Sequence, residues 1–243
     1  MIRFISFVRT DMKKIRRDMI LSASILAPLL MIVVYKWILP LVGQWLNVNI
    51  LLETLKTPIY LFILYSSPVM IGTMIAFLIL DELDEEMVKY YGITPMGKKG
   101  YLLYRLFVPV IISSLMTLIA FIILDSPVNI SPLFVILNTL FISFEAPIVT
   151  LLIVCFASNK VEGLALSKIT SLLMIVPIVQ LFIRDNYQII LSIFPPYWMV
   201  KLLTTEGRLS TYYLTVHIIG AIIIHTCYLL ILFWKWNKKS LST

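Results

Sequence analysis

Residues 58–86 read PIYLFILYSSPVMIGTMIAFLILDELDEE. The first 23 of these residues carry no charged side chain, whereas five of the last six are acidic. A helix needs about 20 predominantly apolar residues to cross the hydrocarbon core of a bilayer. The stretch therefore predicts a membrane-spanning helix that ends abruptly at a charged surface.

The remainder of the chain has the same apolar character. Its 243 residues are 60% hydrophobic and 14% charged, and the mean hydropathy is +0.97. Soluble domains carry about 25% charged residues, so this chain has too little polar surface for a water-soluble globule. We predict one all-α polytopic membrane domain over residues 1–243. The predicted spans are about 19–41, 58–80, 101–124, 132–157, 164–183 and 214–234.

Two segments outside these spans are also predicted to be helical. In residues 1–18, apolar side chains recur at helical spacing among Arg and Lys, a pattern typical of an amphipathic helix at the membrane interface. This segment lacks the long apolar stretch and the cleavage site of a signal peptide. Before the last span, Pro195 and Pro196 divide an apolar run into pieces too short to cross, which predicts broken, re-entrant helices.

The basic residues predict the orientation. Fifteen of the 20 Lys and Arg residues lie on the side of the predicted membrane domain that carries both termini. The positive-inside rule then places both termini in the cytoplasm. We expect the membrane to be the cell membrane, that is, a bacterial plasma membrane. The net charge of +7 is spread between apolar runs instead of forming one basic stripe. It favours anionic lipid headgroups over nucleic acid as the partner.

The largest predicted cytoplasmic loop, between spans two and three, reads DELDEEMVKYYGITPMGKKGY. Residues 85–91 are long enough for about two helical turns. Gly92 offers a helix stop, and Thr94-Pro95 enforces an extended turn. A short helix at this surface is suited to contact another protein; the alternative is a solvated loop that only joins two spans.

This loop resembles the signature loop of the type-2 ABC transporter permeases. The matching features are an acidic pair, a Thr-Pro turn, a basic pair and a basic residue early in the next helix. They are Glu82 and Asp84, Thr94 and Pro95, Lys98 and Lys99, and Arg105. Two positions depart from the pattern: Glu86-Met87 stands where Gly-Thr is usual, and Lys89 replaces a common acid.

The resemblance implies a coupling helix at residues 85–91 that docks on a separate ABC ATPase subunit. It implies a coupling surface formed by Glu82, Asp84, Glu85, Glu86, Val88, Lys89, Tyr91, Thr94 and Pro95. It also implies a second permease copy or a related permease, with a conduit lined by spans one, two and five. The cargo would be a hydrophobic or amphipathic drug, peptide or lipid-like molecule, exported from the cell.

The chain itself has no G-x-x-x-x-G-K-[ST] phosphate loop. We therefore expect no cofactor on this chain, with ATP and Mg²⁺ bound by the partner ATPase. We predict a transport subunit and not an enzyme, and we assign no catalytic residue and no metal site.

Glu145 and Asn138 are the candidate conduit or substrate residues. Glu145 lies near the centre of span four, where a carboxylate costs about 2.5 to 3.5 kcal/mol on insertion scales. Asn138 is seven residues earlier, on the same helical face. The two would bind a cationic substrate group or a proton; the alternative is a paired, structural carboxylate. Lys36 and Lys168 are predicted to extend to the headgroups, and His217 and His225 to be packed or interfacial.

Two other functions stay open. In an ion-coupled secondary transporter, Glu145 would be the proton site, although no inverted repeat supports this. In an intramembrane lipid-modifying enzyme, the acidic residues 81–86 would hold Mg²⁺. However, the sequence contains neither a G-x-S-x-G nor an H-E-x-x-H motif.

Overall fold

The structure is a computed structural model that describes residues 2–46, 48–92, 97–126, 130–205 and 211–242. Within these ranges the regular structure is entirely helical, which confirms the predicted all-α class. Six helices in the described ranges are long and apolar enough to cross a membrane, in agreement with the six predicted spans. Hydropathy identifies such helices because every backbone polar group must be satisfied within the bilayer.

The first span is preceded by a helix that ends one residue before it. Helix α1 covers Ile2–Arg17 and helix α2 covers Met19–Val33. Between them, the carboxylate of Asp18 accepts hydrogen bonds from the backbone N–H groups of Ile20 and Leu21, at 2.8 and 3.2 Å. This N-cap satisfies two of the donors that the first turn of α2 would leave unpaired. A π-helical turn, Val34–Ile38, then joins α2 to α3, Leu39–Leu46.

Helix α4, Asn49–Asp84, is the central helix of the fold. It packs against α2 and against two later helices, α6 (Gly97–Ile123) and α8 (Glu145–Phe156). Its side chains fill the middle of both hydrophobic cores. The helix extends beyond the predicted span on both sides, so that Pro58 lies inside it and residues 81–84, three of which are acidic, form its last turn. The loop predicted from residue 81 onward is therefore shorter than the sequence indicated.

Span four is interrupted at Phe144. Helix α7, Pro132–Ser143, ends there, and α8 begins at the next residue, Glu145. Between α4 and α6 lies the short helix α5, Met87–Gly92. The single helix predicted for span four is therefore observed as two consecutive helices.

The fifth span and the segment after it are built from short pieces. Helix α9, Lys160–Thr170, continues through a 3₁₀ turn, Ser171–Met174, into α10, Val176–Phe182. A 3₁₀ helix, Asp185–Ile193, and α11, Pro195–Thr205, precede the last helix, α12, Thr211–Ser242. The inner face of α11 is buried, and the hydroxyl of Tyr65 in α4 donates to the carbonyl of Pro196 at 3.2 Å. The broken segment therefore packs against protein in its described part.

One end of the bundle carries the end of α1 and the C-terminal part of α12. Lys160 at the start of α9 pairs with Asp18 and with Asp81 of α4, at 2.8 and 2.9 Å. At the same end, Lys239 of α12 donates to the carbonyl of Val154 in α8 at 2.8 Å. We call this end, which also carries α5, the terminal end.

Helices α4 and α8 cross in close contact at Gly72. A Cβ atom at residue 72 would collide with the carbonyl oxygen of Ala146 and lie 3.0 Å from the Cβ of Val149. The carbonyl of Gly72 accepts a hydrogen bond from Thr150 Oγ1 at 2.9 Å. Gly72 thus lets two backbones approach closely, as small residues do at helix interfaces in membranes.

Candidate functional site

The α5 loop, residues 84–92, projects at the terminal end between the second and third spans. Helix α5 packs against the ends of α4 and α6 through its buried residue Val88. Its outer side carries Tyr90, whose side chain is 60% exposed. Glu85 lies before α5 and accepts a hydrogen bond from Lys14 of α1 at 3.2 Å. The loop is therefore anchored on three helices and presents both acidic and aromatic groups to solvent.

The structure separates the predicted coupling residues into two groups. Asp84, Glu85 and Glu86 are exposed, whereas Glu82 and Val88 are buried. Placing Glu82 in a surface loop was wrong: its side chain is 3% exposed because it pairs with Arg105 inside the bundle. The backbone of Lys89 and Tyr91 belongs to α5, whereas their side chains lie outside the described part of the structure. Thr94 and Pro95 lie outside the described residues.

Glu86 has a left-handed backbone conformation, with φ of 56°. It follows the last turn of α4 and precedes α5, so this conformation turns the chain from one helix into the next. Left-handed residues at helix ends are usually Gly, which has no Cβ to clash with the carbonyl oxygen. Glu86 stands where the resembled permeases usually have Gly, and the left-handed conformation gives that position its physical reason.

Replacing Glu86 by Gly is expected to raise the free energy of unfolding by up to about 1 kcal/mol. The replacement removes the steric strain of a non-glycine residue in the left-handed conformation, and this gain exceeds the conformational-entropy cost of ordering a glycine. Thermal unfolding of the purified protein in detergent measures the change. Glu85→Gly is the control. Residue 85 has φ of −81°, so glycine there relieves no strain; it brings the entropy cost, loses the contact with Lys14 and lowers stability. A lower unfolding temperature for Glu86→Gly would contradict the assignment.

A buried ionic cluster joins α1, α4 and α6 beside the α5 loop. The guanidinium of Arg105 in α6 binds both carboxylate oxygens of Asp11 in α1, at 2.8 and 3.1 Å. It also binds both carboxylate oxygens of Glu82 in α4, with Nε donating at 3.2 Å. The hydroxyl groups of Tyr101 and Tyr104 donate to Glu82 and Asp11 respectively. We call these five residues the Arg105 cluster.

The Arg105 cluster is sealed from solvent. Arg105 is 0% exposed, and Asp11 and Glu82 are 6% and 3% exposed. A buried charge must be paired and hydrogen-bonded to be tolerated, and Arg alone offers five donors in the planar arrangement that serves two carboxylates. The cluster therefore fixes the N-terminal helix to the ends of the two spans that flank the α5 loop.

A second ionic contact at the terminal end lies nearer the surface. Lys160 bridges Asp18 and Asp81, with about a quarter of each side chain exposed. The hydrogen bond from Lys160 holds the pKa of the Asp18 carboxyl below its usual value, although partial burial acts in the opposite direction. A lowered carboxyl pKa contributes stability at neutral pH that is lost as the pH falls through that pKa. Solvent screening keeps the contribution small.

Glu145 is buried midway along the fourth span, beside a histidine of the last span. Its side chain is 1% exposed, and Oε1 lies 3.5 Å from Nε2 of His225 in α12. The ring of Phe141 in α7 packs on His225 with 5.8 Å between ring centroids. Neither carboxylate oxygen has a hydrogen-bond partner among the described residues. Lys36 of the first span lies elsewhere and pairs with Asp125 at 2.6 Å.

Asn138 is fully buried but is not brought to Glu145 by any described hydrogen bond. Its Nδ2 donates to the carbonyl of Phe134, one turn earlier in α7, at 2.9 Å. Its Oδ1 has no hydrogen-bond partner in the described part of the chain. Asn138 thus remains a candidate polar group of the interior, while its predicted partnership with Glu145 has no supporting contact.

Sequence reasoning missed three residues of these sites: Asp11, Arg105 as a buried cation, and His225 as the partner of Glu145. Asp11 is the single acid among the basic residues of α1. Its isolation in a basic amphipathic helix was the feature from which an internal ion pair could have been predicted. His225 lies near the middle of its span, as Glu145 does. Two ionisable residues at the same depth in separate spans can contact each other, so their positions could have predicted this pair.

Comparison with known proteins identifies relatives over nearly the whole chain. The family model described as Fluoroquinolones export permease protein Rv2686c-like matches residues 11–233. Two similar proteins of Mycobacterium tuberculosis are named Fluoroquinolones export permease protein Rv2686c (strain ATCC 25618 / H37Rv) and Fluoroquinolones export permease protein MT2760 (strain CDC 1551 / Oshkosh). Each is 25% identical over 241 residues, covering 96% of this chain and 94% of the relative. No solved structure matches.

The family match includes both the α5 loop and the Glu145–His225 pair, since both lie between residues 11 and 233. Together with the six spanning helices of the described ranges, it establishes the class of the protein. The chain belongs to the Rv2686c-like family of export permeases and is a multi-pass membrane protein.

Proposed function

We propose that this chain is the membrane-spanning subunit of an ATP-driven exporter of the ABC type-2 class. It works with a separate ATPase subunit and with a second permease, either a copy of itself or a related chain. It lies in the cell membrane with both termini in the cytoplasm. Its cargo is a hydrophobic or amphipathic compound, and fluoroquinolones are the first class to test because two relatives carry that name.

The observation that carries the proposal is the α5 loop. Glu85, Glu86 and Tyr90 are exposed on a short helical segment that is anchored by Val88 and by the contact with Lys14. The Arg105 cluster ties α1, α4 and α6 together directly behind it. A rigid exposed element of this kind is suited to transmit movement of a docked partner to the spans, because buried networks resist local deformation.

A groove between the first, second and fifth spans supports the proposed conduit. It has a volume of about 290 Å³ and lies between α2, α4 and the α9 region. Several polar side chains line it: Ser24, Thr73, Ser167, Lys168 and Ser171. Hydroxyl groups and a lysine on an otherwise apolar surface suit the passage of an amphipathic molecule, or the packing of a second permease across it.

The proposed function is tested by replacing Glu85 and Tyr90 together with Ala. ATP-dependent export of a fluorescent quinolone from cells or inverted vesicles is expected to fall by about tenfold, which corresponds to about 1.4 kcal/mol at the docking surface. The protein should still insert and should remain folded, because both side chains are exposed.

The matched control is the double replacement of Glu53 and Tyr212 by Ala. These residues are of the same two types, are also well exposed and lie away from the α5 loop. Transport by the control should equal that of the wild type. The tagged wild-type chain should also co-purify with an ATPase, and changing the phosphate-loop Lys of that ATPase should abolish export. Full transport by the purified chain alone in liposomes would refute the proposal.

One alternative has a specific observation in its favour. A buried carboxylate next to an imidazole within the spans, as found at Glu145 and His225, is an arrangement that proton-coupled secondary transporters use. In that case export would follow an imposed pH gradient in the absence of ATP and of any ATPase. The liposome experiment distinguishes the two functions directly.

A further inference from the structure

A lateral groove opens in the bundle between α8, α9, α10 and α12. It has a volume of about 540 Å³, and apolar side chains form nearly all of its wall. At its opening, Phe156, Ile169 and Leu172 are 55%, 63% and 56% exposed. Exposed apolar surface of this kind marks contact with the membrane. The groove therefore opens sideways into the hydrocarbon core of the bilayer.

The groove is about as deep as one leaflet of a bilayer. Its α9–α10 wall extends from Leu166 to Val176, a separation of ten residues or about 15 Å of helix. Half of the hydrocarbon core, which is about 30 Å thick, is also about 15 Å. Phe156 is the last residue of α8 and marks the margin of the groove at the terminal end. The groove thus follows the acyl chains of the leaflet at that end.

Lys235 of α12 lies at the margin of the groove at the terminal end. Its Nζ is 3.4 Å from the centroid of the Phe156 ring, which forms part of the wall. Independently, Tyr228 lines the groove on α12, and Lys235 follows it by seven residues, two turns along the same helical face. Both relations place the ammonium group of Lys235 where the headgroup of a lipid would lie if its acyl chain filled the groove.

Lys238 brings a second positive charge to this position. It follows Lys235 by three residues, a spacing at which side chains on a helix are neighbours, and its Nζ is 3.7 Å from the ring centroid of Trp234. Among the described residues, neither ammonium group is paired with a carboxylate. Glu162 at the start of α9 instead accepts a hydrogen bond from the backbone N–H of Ser158 at 2.7 Å. Two positive charges are therefore left for an anion.

The charge and the shape of the site specify the ligand. An ammonium group has three donors, so each lysine can contact an aromatic ring and a phosphate oxygen at the same time. A choline or ethanolamine headgroup would bring its own positive charge toward two lysines, and like charges repel. The next residue, Lys239, donates to the carbonyl of Val154 and adds to the positive charge of this end. The complementary molecule is a phospholipid with a net negative charge.

We propose that the groove between α8, α9, α10 and α12 holds an acyl chain of an anionic phospholipid from the leaflet at the terminal end, and that Lys235 and Lys238 bind its phosphate. The occupant is a resident lipid of the membrane and not a transported molecule. It fills the space between the fifth span and the last span, so that one lipid contacts both. The proposal is independent of the export function proposed above.

Photo-crosslinking of the full-length chain in nanodiscs tests the proposal. The nanodiscs consist of phosphatidylcholine with a small fraction of a probe lipid that carries a diazirine on its acyl chain and has a phosphatidylglycerol or a phosphatidylcholine headgroup. Mass spectrometry of the digested protein locates the label. The phosphatidylglycerol probe should label residues 152–156 and 166–176 at least about tenfold more than the phosphatidylcholine probe. Each lysine near a membrane surface contributes about fivefold to the binding of an anionic lipid.

Competition identifies the source of the phosphate. Unlabelled phosphatidylglycerol should suppress labelling of the groove. Glycerol phosphate, which has the phosphate but no acyl chain, should not compete. Suppression by glycerol phosphate would show that the lysines bind a free anion, and would overturn the assignment of a lipid.

Replacing Lys235 and Lys238 together with Gln tests the role of the two lysines. Labelling of the groove by the phosphatidylglycerol probe should fall by at least about tenfold, to the level of the phosphatidylcholine probe. The matched control replaces Lys13 and Arg16 of α1 with Gln. These two residues are also three positions apart and exposed, and their replacement removes the same net charge. The control should retain the labelling of the wild type.

Leu172→Trp tests the groove itself. Leu172 lines the groove and is 56% exposed, so a larger side chain there occupies the opening without displacing the core. Labelling of residues 152–156 by the phosphatidylglycerol probe should fall. Leu115→Trp is the matched control, because Leu115 is 58% exposed on α6 and does not line this groove. Labelling of the groove should not change in this control.

Equal labelling of the wild type by the two probes, or labelling spread evenly over the lipid-facing helices, would overturn the proposal. Both measurements use the wild type, so they do not depend on the folding of a variant. An equal loss of labelling in the two double variants would show a general attraction of anionic lipid to a basic surface and would exclude a specific site. Unchanged labelling in Leu172→Trp would exclude the groove.

Discussion

Replacing Arg105 by Met is expected to lower the free energy of unfolding by about 3–5 kcal/mol, the effect of breaking a buried ion pair by removing one partner. The substitution leaves the carboxylates of Asp11 and Glu82 facing each other without a cation, in a cluster where all three side chains are less than a tenth exposed. The apolar stem of Met replaces the stem of Arg, so the loss is one of charge and hydrogen bonds. Thermal unfolding in detergent and the monodisperse fraction after gel filtration measure it.

Two further variants show whether the loss arises from unpaired charge. Arg105→Lys keeps the cation but cannot donate to both carboxylates in one plane, so it should retain only part of the stability. Combining Arg105→Met with Asp11→Asn and Glu82→Gln removes all three charges and should recover much of the loss, because uncharged replacements of buried ion pairs are often tolerated.

The control for Arg105 is Lys56→Met. Lys56 pairs with Glu53 on the surface, with 48% and 66% of the two side chains exposed. Exposed pairs contribute about 0–1 kcal/mol, so the unfolding temperature should hardly change. A loss for Arg105→Met no larger than that of the control would show that the Arg105 cluster does not hold α1 to the spans.

The second large effect is expected at the crossing of α4 and α8. Gly72→Ala should destabilise the protein by about 1–3 kcal/mol, the usual range for overpacking a tight interior. The new methyl group meets the backbone carbonyl of Ala146, which cannot move without displacing α8. The two helices must separate, and the hydrogen bond from Thr150 to the carbonyl of Gly72 is lost or lengthened.

Gly163→Ala is the matched control, since it makes the same substitution in another buried helical position. The nearest atom to a Cβ at residue 163 is Cδ1 of Leu80, the end of a side chain that can change rotamer. Alanine also has a higher helix propensity than glycine by about 1 kcal/mol, so this variant should be close to neutral. If both variants unfold at the same temperature, the α4–α8 contact does not depend on a glycine at position 72.

Several features of the fold were predictable because they depend on local composition. The spans are uncharged runs long enough to cross a bilayer, and the acidic residues after Leu80 indicated where the second span ends. The α5 helix was also predicted, since Gly92 marks its end and apolar and aromatic residues precede it. Its exact surroundings were not, because the sequence could not show that α4 continues to Asp84 and that Glu82 turns inward.

Composition and spacing by themselves determined that this chain is an all-α protein with six membrane-spanning helices, because in lipid the length of an apolar run decides whether it spans. Only the tertiary structure decided which polar groups meet: Asp11 and Glu82 at Arg105, and Glu145 at His225. These partners lie on separate helices. A helical pattern specifies which residues share one face, but the packing of helices against each other selects the facing partner.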